Sequence, residues 1–337
     1  MYARMTSKER FFAHMNNKPA DLPALINPVS AATTESINYL GLDFSKVHLD
    51  AESTALLACY PYEQLGFDSI MPYFSVVLEA AALGATIKWG DNQSMPTIRS
   101  QVFNSPEQIK VPKDYFDHPA IKSLIESIKI LSKRYGDEAL IIGKVFGPWT
   151  MSLNCYGVEK TLIDTIENRE NLSDMLRAFA IFTKVFIEAQ LEAGAHMVTI
   201  ADHTTRNLVG PRVYDDFVKP LHKELNAEFP DKLILHCCGY TEDRVHLFAE
   251  AGFPLYHFES ANNISNIQSL SDGMKLTGCV NNPSVLLGGS IEDVENQVND
   301  ILNHGIDIVS PECAVPMKTP DYNLKAISEC IKKRTQT

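Results

Sequence analysis

The chain has 337 residues, of which 45% are hydrophobic and 21% charged, and its 30 Lys plus Arg against 42 Asp plus Glu give a formal net charge of −12. This acidic balance argues against nucleic-acid binding, which needs clustered Lys and Arg to grip phosphates. No apolar run approaches the roughly 18 residues that span a bilayer, and residues 1–8 lack the long apolar core of a secretory signal, so a cytoplasmic protein without membrane contact is expected. In that setting the seven cysteines, at 59, 155, 237, 238, 279, 313 and 330, read as reduced thiols. Two are adjacent, a poor geometry for a disulfide framework, and a cysteine placed beside a histidine is more often a metal ligand or a reactive thiol.

Along the chain, residues 1–20 are expected to form an N-terminal helical cap. Strands are expected at 23–27 and 68–71, and residues 84–118 read as a long loop or hairpin excursion. Ile121, Leu124, Ile125, Ile128 and Leu131 mark one face of a helix ended by Gly136. A third strand follows at 140–145, and a long helix covers 171–192. A phrase then recurs three times: an amphipathic helix tail, a glycine (Gly194, Gly252, Gly305) suited to the left-handed C′ position, and a short apolar run with β-branched or aromatic residues. Between these phrases lie strands at 233–238 and 275–280. Gly288-Gly289-Ser290 reads as a turn and N-cap, with Ser290-x-x-Asp293 as a capping box. Eight strands alternating with helices predict one α/β domain over 1–337, a (β/α)8 barrel. The absence of G-x-G-x-x-G and of G-x-x-x-x-G-K-[ST] argues against nucleotide-binding sheet folds.

In such barrels the active site lies at the C-terminal ends of the strands. The fourth strand ends in Asp202-His203, the fifth runs into His236-Cys237-Cys238-Gly239, the sixth closes on His257-Phe258-Glu259, and the eighth is followed by Pro311-Glu312-Cys313. Because strand side chains alternate, His236 and Cys238 face the same side and Cys237 faces away. With Cys313 they form a His-Cys-Cys set, which suits zinc better than magnesium or calcium. Buried cysteines beside a satisfied core histidine would explain H-x-C alone. The distant Cys313 is what favours a metal. Asp202 can accept a hydrogen bond from substrate or from a ligand, or serve as a polar strand end. His203 and His257 read as supporting or solvated groups, and Cys237 and Cys279 as small apolar core residues.

Leu235-His236-Cys237-Cys238-Gly239 resembles the H-x-C-G segment of the methylcobamide:coenzyme M methyltransferases. Residues 310–320, SPECAVPMKTP, resemble their second metal-binding segment, a cysteine followed by a Thr-Pro ending. Ser7-Lys8-Glu9-Arg10, Gly147-Pro148, Ile200-Ala201-Asp202 and Asn281-x-Pro283 resemble the group as well, so the likeness covers essentially the whole chain. That family belongs to the uroporphyrinogen decarboxylase superfamily of (β/α)8 barrels. The resemblance implies zinc-dependent transfer of a methyl group from a methylated corrinoid (methylcobamide) protein to a small thiol such as coenzyme M. It implies His236, Cys238 and Cys313 as zinc ligands. It also implies a glutamate, closing the sixth strand, that completes the site until thiol binds. Glu259 stands at the family's offset from the histidine, 259 − 236 = 23.

Three other readings compete. Uroporphyrinogen decarboxylase itself resembles an arginine-bearing N-terminal segment and an aspartate after the second strand. Here residues 22–30 hold no arginine and residues 71–75 no aspartate, so a polycarboxylate would lack its partners. A primary methyltransferase would load the corrinoid protein instead of unloading it. A zinc-stabilised binding module would need four strong ligands. One departure from the family stands beside Cys313: Glu312 and Ala314 replace frequent glycines, and a carboxylate there would disfavour a sulfonate.

Overall fold

The computed structural model describes residues 4–334. The two ends of the expected 1–337 domain, and the first three residues of the expected cap, lie outside the described residues. The barrel strands are β1 (Ala24–Leu25), β2 (Ser69–Ile70), β3 (Leu140–Phe146), β4 (Met197–Ala201), β5 (Leu233–His236), β6 (Leu255–His257), β7 (Lys275–Val280) and β8 (Ile308–Pro311). Their hydrogen-bonded order is β1-β8-β7-β6-β5-β4-β3-β2, and every neighbouring pair is parallel. Every residue of β3, β4 and β5 is buried, as strands covered on both faces must be, which is why they read as mostly apolar runs. Between the short β1 and β2 one backbone bond, Asp68 N to Leu25 O at 2.6 Å, is supplemented by side chains. Asp68 Oδ2 accepts from Leu25 N at 2.8 Å, and Ser69 Oγ from Asn27 N at 2.8 Å. Asp68 is itself held by Arg10, from the N-terminal helix Ser7–Met15, and Arg10 Nε pairs with Asp21 at 2.8 Å.

Gly194, Gly252 and Gly305 take φ of 108°, 86° and 76°, the left-handed values their phrase requires. Gly136 differs: its φ of −62° continues the turn of helix Pro119–Tyr135. The excursion contains an antiparallel hairpin, Ile87–Lys88 against Thr97–Ile98, and two short 3-10 turns. Both halves of the Ser290/Asp293 capping box form, opening helix Ile291–Asn303. The fifth strand stops earlier than expected. Its ladder ends at His236, and Cys237 and Cys238 begin the loop. Among the described residues no helix is long and apolar enough to cross a membrane.

Candidate metal and catalytic site

The ladders align Phe146, Ala201, His236 and His257 in one row at the C-terminal ends of β3 to β6. Parallel pairing brings the side chains of such a row to the same face, so the fold delivers His236 to the barrel mouth. The rest of the cluster comes from loops. His236 Nε2 lies 2.9 Å from Cys238 Sγ and 3.5 Å from Cys313 Sγ, and the two sulfurs are 3.3 Å apart. Glu259 brings a carboxylate oxygen within 4.8 Å of both sulfurs. Cys237 turns away into the core, where burial raises its thiol and keeps it protonated. Cys279 is likewise buried and pushed up to about 12.

The donor triangle fits zinc. Tetrahedral Zn–S bonds of about 2.3 Å and Zn–N bonds of about 2.0–2.1 Å place donor atoms about 3.5–3.8 Å apart. Two edges are near that spacing, and the 2.9 Å edge needs a small outward movement of one side chain. The charge state points the same way. Burial, with His257, His203 and Lys144 around it, holds His236 well below the ordinary imidazole range, so the ring is neutral and its lone pair can donate. The two thiols share a proton: the Cys238–Cys313 hydrogen bond holds Cys313 down and Cys238 up. A divalent cation would remove that proton and let both act as thiolates. Burial raises the Glu259 carboxyl; the Glu312 charge adds to this, and the Gly239 N–H and the Cys238 thiol oppose it.

Of the two neighbouring histidines, His203 brings a ring nitrogen within 4.8 Å of the donor atoms of His236 and Cys238, whereas His257 is engaged by backbone. His257 is fully buried, not solvated, and its Nε2–H donates to Pro311 O at 2.7 Å. Its ring lies 4.6 Å from that of His236. The residue thereby ties β6 to the segment that carries Cys313. His203 Nδ1 accepts from Cys238 N at 3.3 Å, which fixes the loop bearing the thiol. Burial pushes both rings down to about 4, so both are neutral.

Asp202 lies beneath this layer. Its Oδ1 accepts from Thr150 N at 2.7 Å, and its Oδ2 from His222 Nε2 at 3.1 Å and from Trp149 N at 3.4 Å. It therefore caps the short helix Pro148–Ser152, where a carboxylate meets unpaired N–H groups. Thr150 Oγ1 accepts from His203 N at 2.9 Å, so the carboxylate reaches Cys238 only through Thr150 and His203. Gly147 is required here: a Cβ at that position would lie 2.2 Å from Asp202 Cγ and 2.5 Å from its Cβ.

Glu312 is held by neutral donors, and its charge still acts on Glu259. Its oxygens accept from Asn282 N at 2.8 Å, Ser260 N at 3.0 Å, the Ser260 hydroxyl and, at 3.5 Å, Asn281 Nδ2. Glu312 laces together the loops after β6, β7 and β8.

Sequence reading missed Lys144, which is buried in the barrel with its Nζ 4.3 Å from the Tyr73 ring centroid. Burial pushes it down to about 8, opposed by Glu79, Cys313 and Cys238, so it remains mostly ammonium at neutral pH. The available signal was a lone cation inside the apolar run LIIGKVF. A cavity of about 1410 Å³ opens at the other end of the barrel, near Arg10, Asp21, Tyr62 and Asp68, and no thiol or imidazole lines it.

Known proteins share this architecture over its full length. The chain is 26% identical over 332 residues to the methylcobamide:CoM methyltransferase MtbA of Methanosarcina acetivorans, covering 97% of this chain and 98% of that one. It is 27% identical over 334 residues to the methylated-thiol--coenzyme M methyltransferase of Methanosarcina mazei, covering 99% and 91%. A solved methyltransferase structure from Methanosarcina mazei superposes with a TM-score of 0.93 at 24% identity, covering 98% of this chain and 99% of that one. The uroporphyrinogen decarboxylase of Roseobacter denitrificans matches over 202 residues at 28% identity, 56% of this chain and 57% of that one. The family model described as uroporphyrinogen decarboxylase (URO-D) matches residues 6–334, and this chain belongs to that family.

Proposed function

We propose that the protein is a zinc-dependent methyltransferase that moves a methyl group from a methylated corrinoid protein to coenzyme M or a similar small thiol, in a reducing, cytoplasmic setting. The observation that carries this reading is the triangle of His236, Cys238 and Cys313 at the barrel mouth, with Glu259 in reach of both sulfurs. Three strong donors and one carboxylate leave an exchangeable position, the mark of a catalytic rather than a structural zinc site. The full-length relatives named for methylcobamide and coenzyme M support the same reading. Zinc in this site would favour ionisation of the acceptor thiol and hold it as thiolate, the nucleophilic form.

The chain's own residues then have distinct tasks. His236, Cys238 and Cys313 hold the metal. Glu259 would complete the donor set, and as a harder ligand than thiolate it would be the one that an incoming sulfur replaces. His257 and His203 fix the two segments that bear the cysteines, each through a backbone hydrogen bond. Asp202 positions His203 through Thr150. In the reaction the sulfur lone pair forms the S–CH3 bond, and the electrons of the broken Co–CH3 bond remain on cobalt as Co(I).

The decarboxylase reading has less support. Residues 71–75, after β2, bring Tyr73 and Ser75 to Lys144 and carry no aspartate. The test is demethylation of methylcobalamin, followed by cobalt absorbance, against coenzyme M, homocysteine and 2-mercaptoethanol. Thiol-dependent turnover is expected, with close to one zinc per chain that is largely lost in a Cys238→Ser, Cys313→Ser double variant. No turnover with any thiol would remove the methyltransferase reading. Full zinc content in the double variant would remove the ligand assignment.

A further inference from the structure

If the acceptor sulfur sits at the His236–Cys238–Cys313 triangle, the remainder of the acceptor has to lie in the barrel mouth beside it. Lys144 is placed to meet it. In the ladders Lys144 pairs with Thr199 and Thr199 with Ile234, one inward-facing row below Phe146, Ala201 and His236. Its ammonium therefore rises from the layer under the cluster, and both cysteine sulfurs lie within its electrostatic reach. The backbone that carries it is clamped twice by the buried Gln190, whose Oε1 accepts from Lys144 N at 2.8 Å and whose Nε2 donates to Lys144 O at 2.9 Å.

What Lys144 lacks is a directly paired anion: Glu79 acts on it through charge, but among the described residues no carboxylate oxygen forms an ion pair with its ammonium. An ammonium has three N–H donors. Among the described residues one is used, weakly, on Ser75 O at 3.3 Å, and the aromatic faces of Tyr73 and Phe146, at 4.3 and 5.1 Å, supply the remaining stabilisation. Glu79 is nearby, but its oxygens are engaged by Phe146 N at 2.9 Å and by the Tyr73 hydroxyl. The Ser75 and Thr199 hydroxyls are also buried without partners. Burying a cation without a matched counter-charge is costly. A held ammonium with unused donors, beside unpaired hydroxyls, is the arrangement expected where the missing partner is a ligand.

We propose that Lys144, assisted by the Ser75 hydroxyl, is the subsite for the acidic end of the acceptor, a short thiol that carries a sulfonate or a carboxylate. This rests on the methyl-transfer reading above. It differs from a role in which Lys144 only offsets the thiolates of Cys238 and Cys313, because that role would affect every acceptor alike.

The test compares coenzyme M (2-mercaptoethanesulfonate), 3-mercaptopropionate and the neutral 2-mercaptoethanol as acceptors for methylcobalamin, in the zinc-loaded wild type, Lys144→Met and Lys144→Arg. In Lys144→Met the preference in kcat/KM for an acid thiol over the neutral one should fall about 10- to 100-fold, the range for losing a charge-assisted hydrogen bond. The fall should come mainly through KM, with zinc content retained and partial rescue by Lys144→Arg. The larger of the sulfonate and carboxylate effects identifies the acid. Equal loss toward all three thiols overturns the subsite. Calorimetric binding of ethanesulfonate and propionate to wild type decides the matter even if the variants do not fold. No anion binding, together with equal kcat/KM for the neutral and acid thiols, also overturns it. If no thiol supports turnover while ethanesulfonate binds to wild type and not to Lys144→Met, the subsite stands and the methyl-transfer reading fails.

Discussion

Replacing Gly147 by alanine probes the support beneath the His236–Cys238–Cys313 cluster. The added Cβ would fall 2.2, 2.3 and 2.5 Å from Cγ, Oδ2 and Cβ of Asp202. The last of these is bonded to the backbone, so the clash cannot be relieved by rotating a side-chain tip. Asp202 has to leave its pocket, giving up the Thr150 N and His222 Nε2 hydrogen bonds at 2.7 and 3.1 Å. At about 1.5–3 kcal/mol for each bond to a charged group, the sum is about 3–6 kcal/mol. Backbone relaxation recovers part of this, so about 3 kcal/mol is expected. Equilibrium urea unfolding monitored by circular dichroism measures it, in a cycle with Asp202→Gly, which removes all three clashing atoms. Alanine at 147 should cost under about 1 kcal/mol in that background, a coupling of about 2 kcal/mol or more between neighbours in contact. Zinc affinity should fall in Gly147→Ala as well, because Asp202 reaches Cys238 through Thr150 and His203. Additivity within about 0.5 kcal/mol would refute the argument.

Glu259→Gln should keep most of its zinc, since three donors remain; in wild type, zinc-edge absorption on adding coenzyme M should show one oxygen exchanged for sulfur, and retention of the oxygen with no new sulfur would remove Glu259 as the replaceable ligand. Glu312→Ala leaves Ser260 N and Asn282 N buried without an acceptor, so it should cost about 2–4 kcal/mol and weaken zinc binding at the adjacent Cys313; an unchanged unfolding midpoint with unchanged zinc content contradicts the lacing role. His48 is buried with Nε2 unpartnered, stacked on Trp89, and burial pushes it down to about 4 from an ordinary 6.5. The unfolded chain therefore takes up the proton first. Stability is full above pH 6.5 and declines as pH falls toward 4, by about 3 kcal/mol at most from this residue. His48→Phe should flatten the urea-midpoint profile of metal-free protein across that window, and an identical slope in both proteins would show that His48 contributes nothing to it.

The sequence by itself determined the barrel. Parallel strands covered on both faces are mostly apolar, and the glycine after each of three helix tails must accept positive φ, so β3, β4 and β5 and the turns at Gly194, Gly252 and Gly305 could be read from pattern alone. The proposed metal-binding triad was legible for a different reason. His236 and Cys238 are local to one strand end, and Cys313 closes another strand, so barrel topology brings them to a single rim. Other features depended on where side chains point across the barrel, which residue order does not encode. Asp202 read as either a substrate or ligand contact or a polar strand end, and the chain folds the N-terminus of helix Pro148–Ser152 over it. Glu312 looked like a charge beside the cluster, yet three loops converge on it. Lys144 drew no notice in the sequence, and only closure of the barrel places its ammonium under the thiols, with donors still unused. Local periodicity specifies which groups reach the mouth, but hydrogen-bond donors and acceptors are matched between strands and loops distant in sequence, and that matching exists only once the barrel has closed.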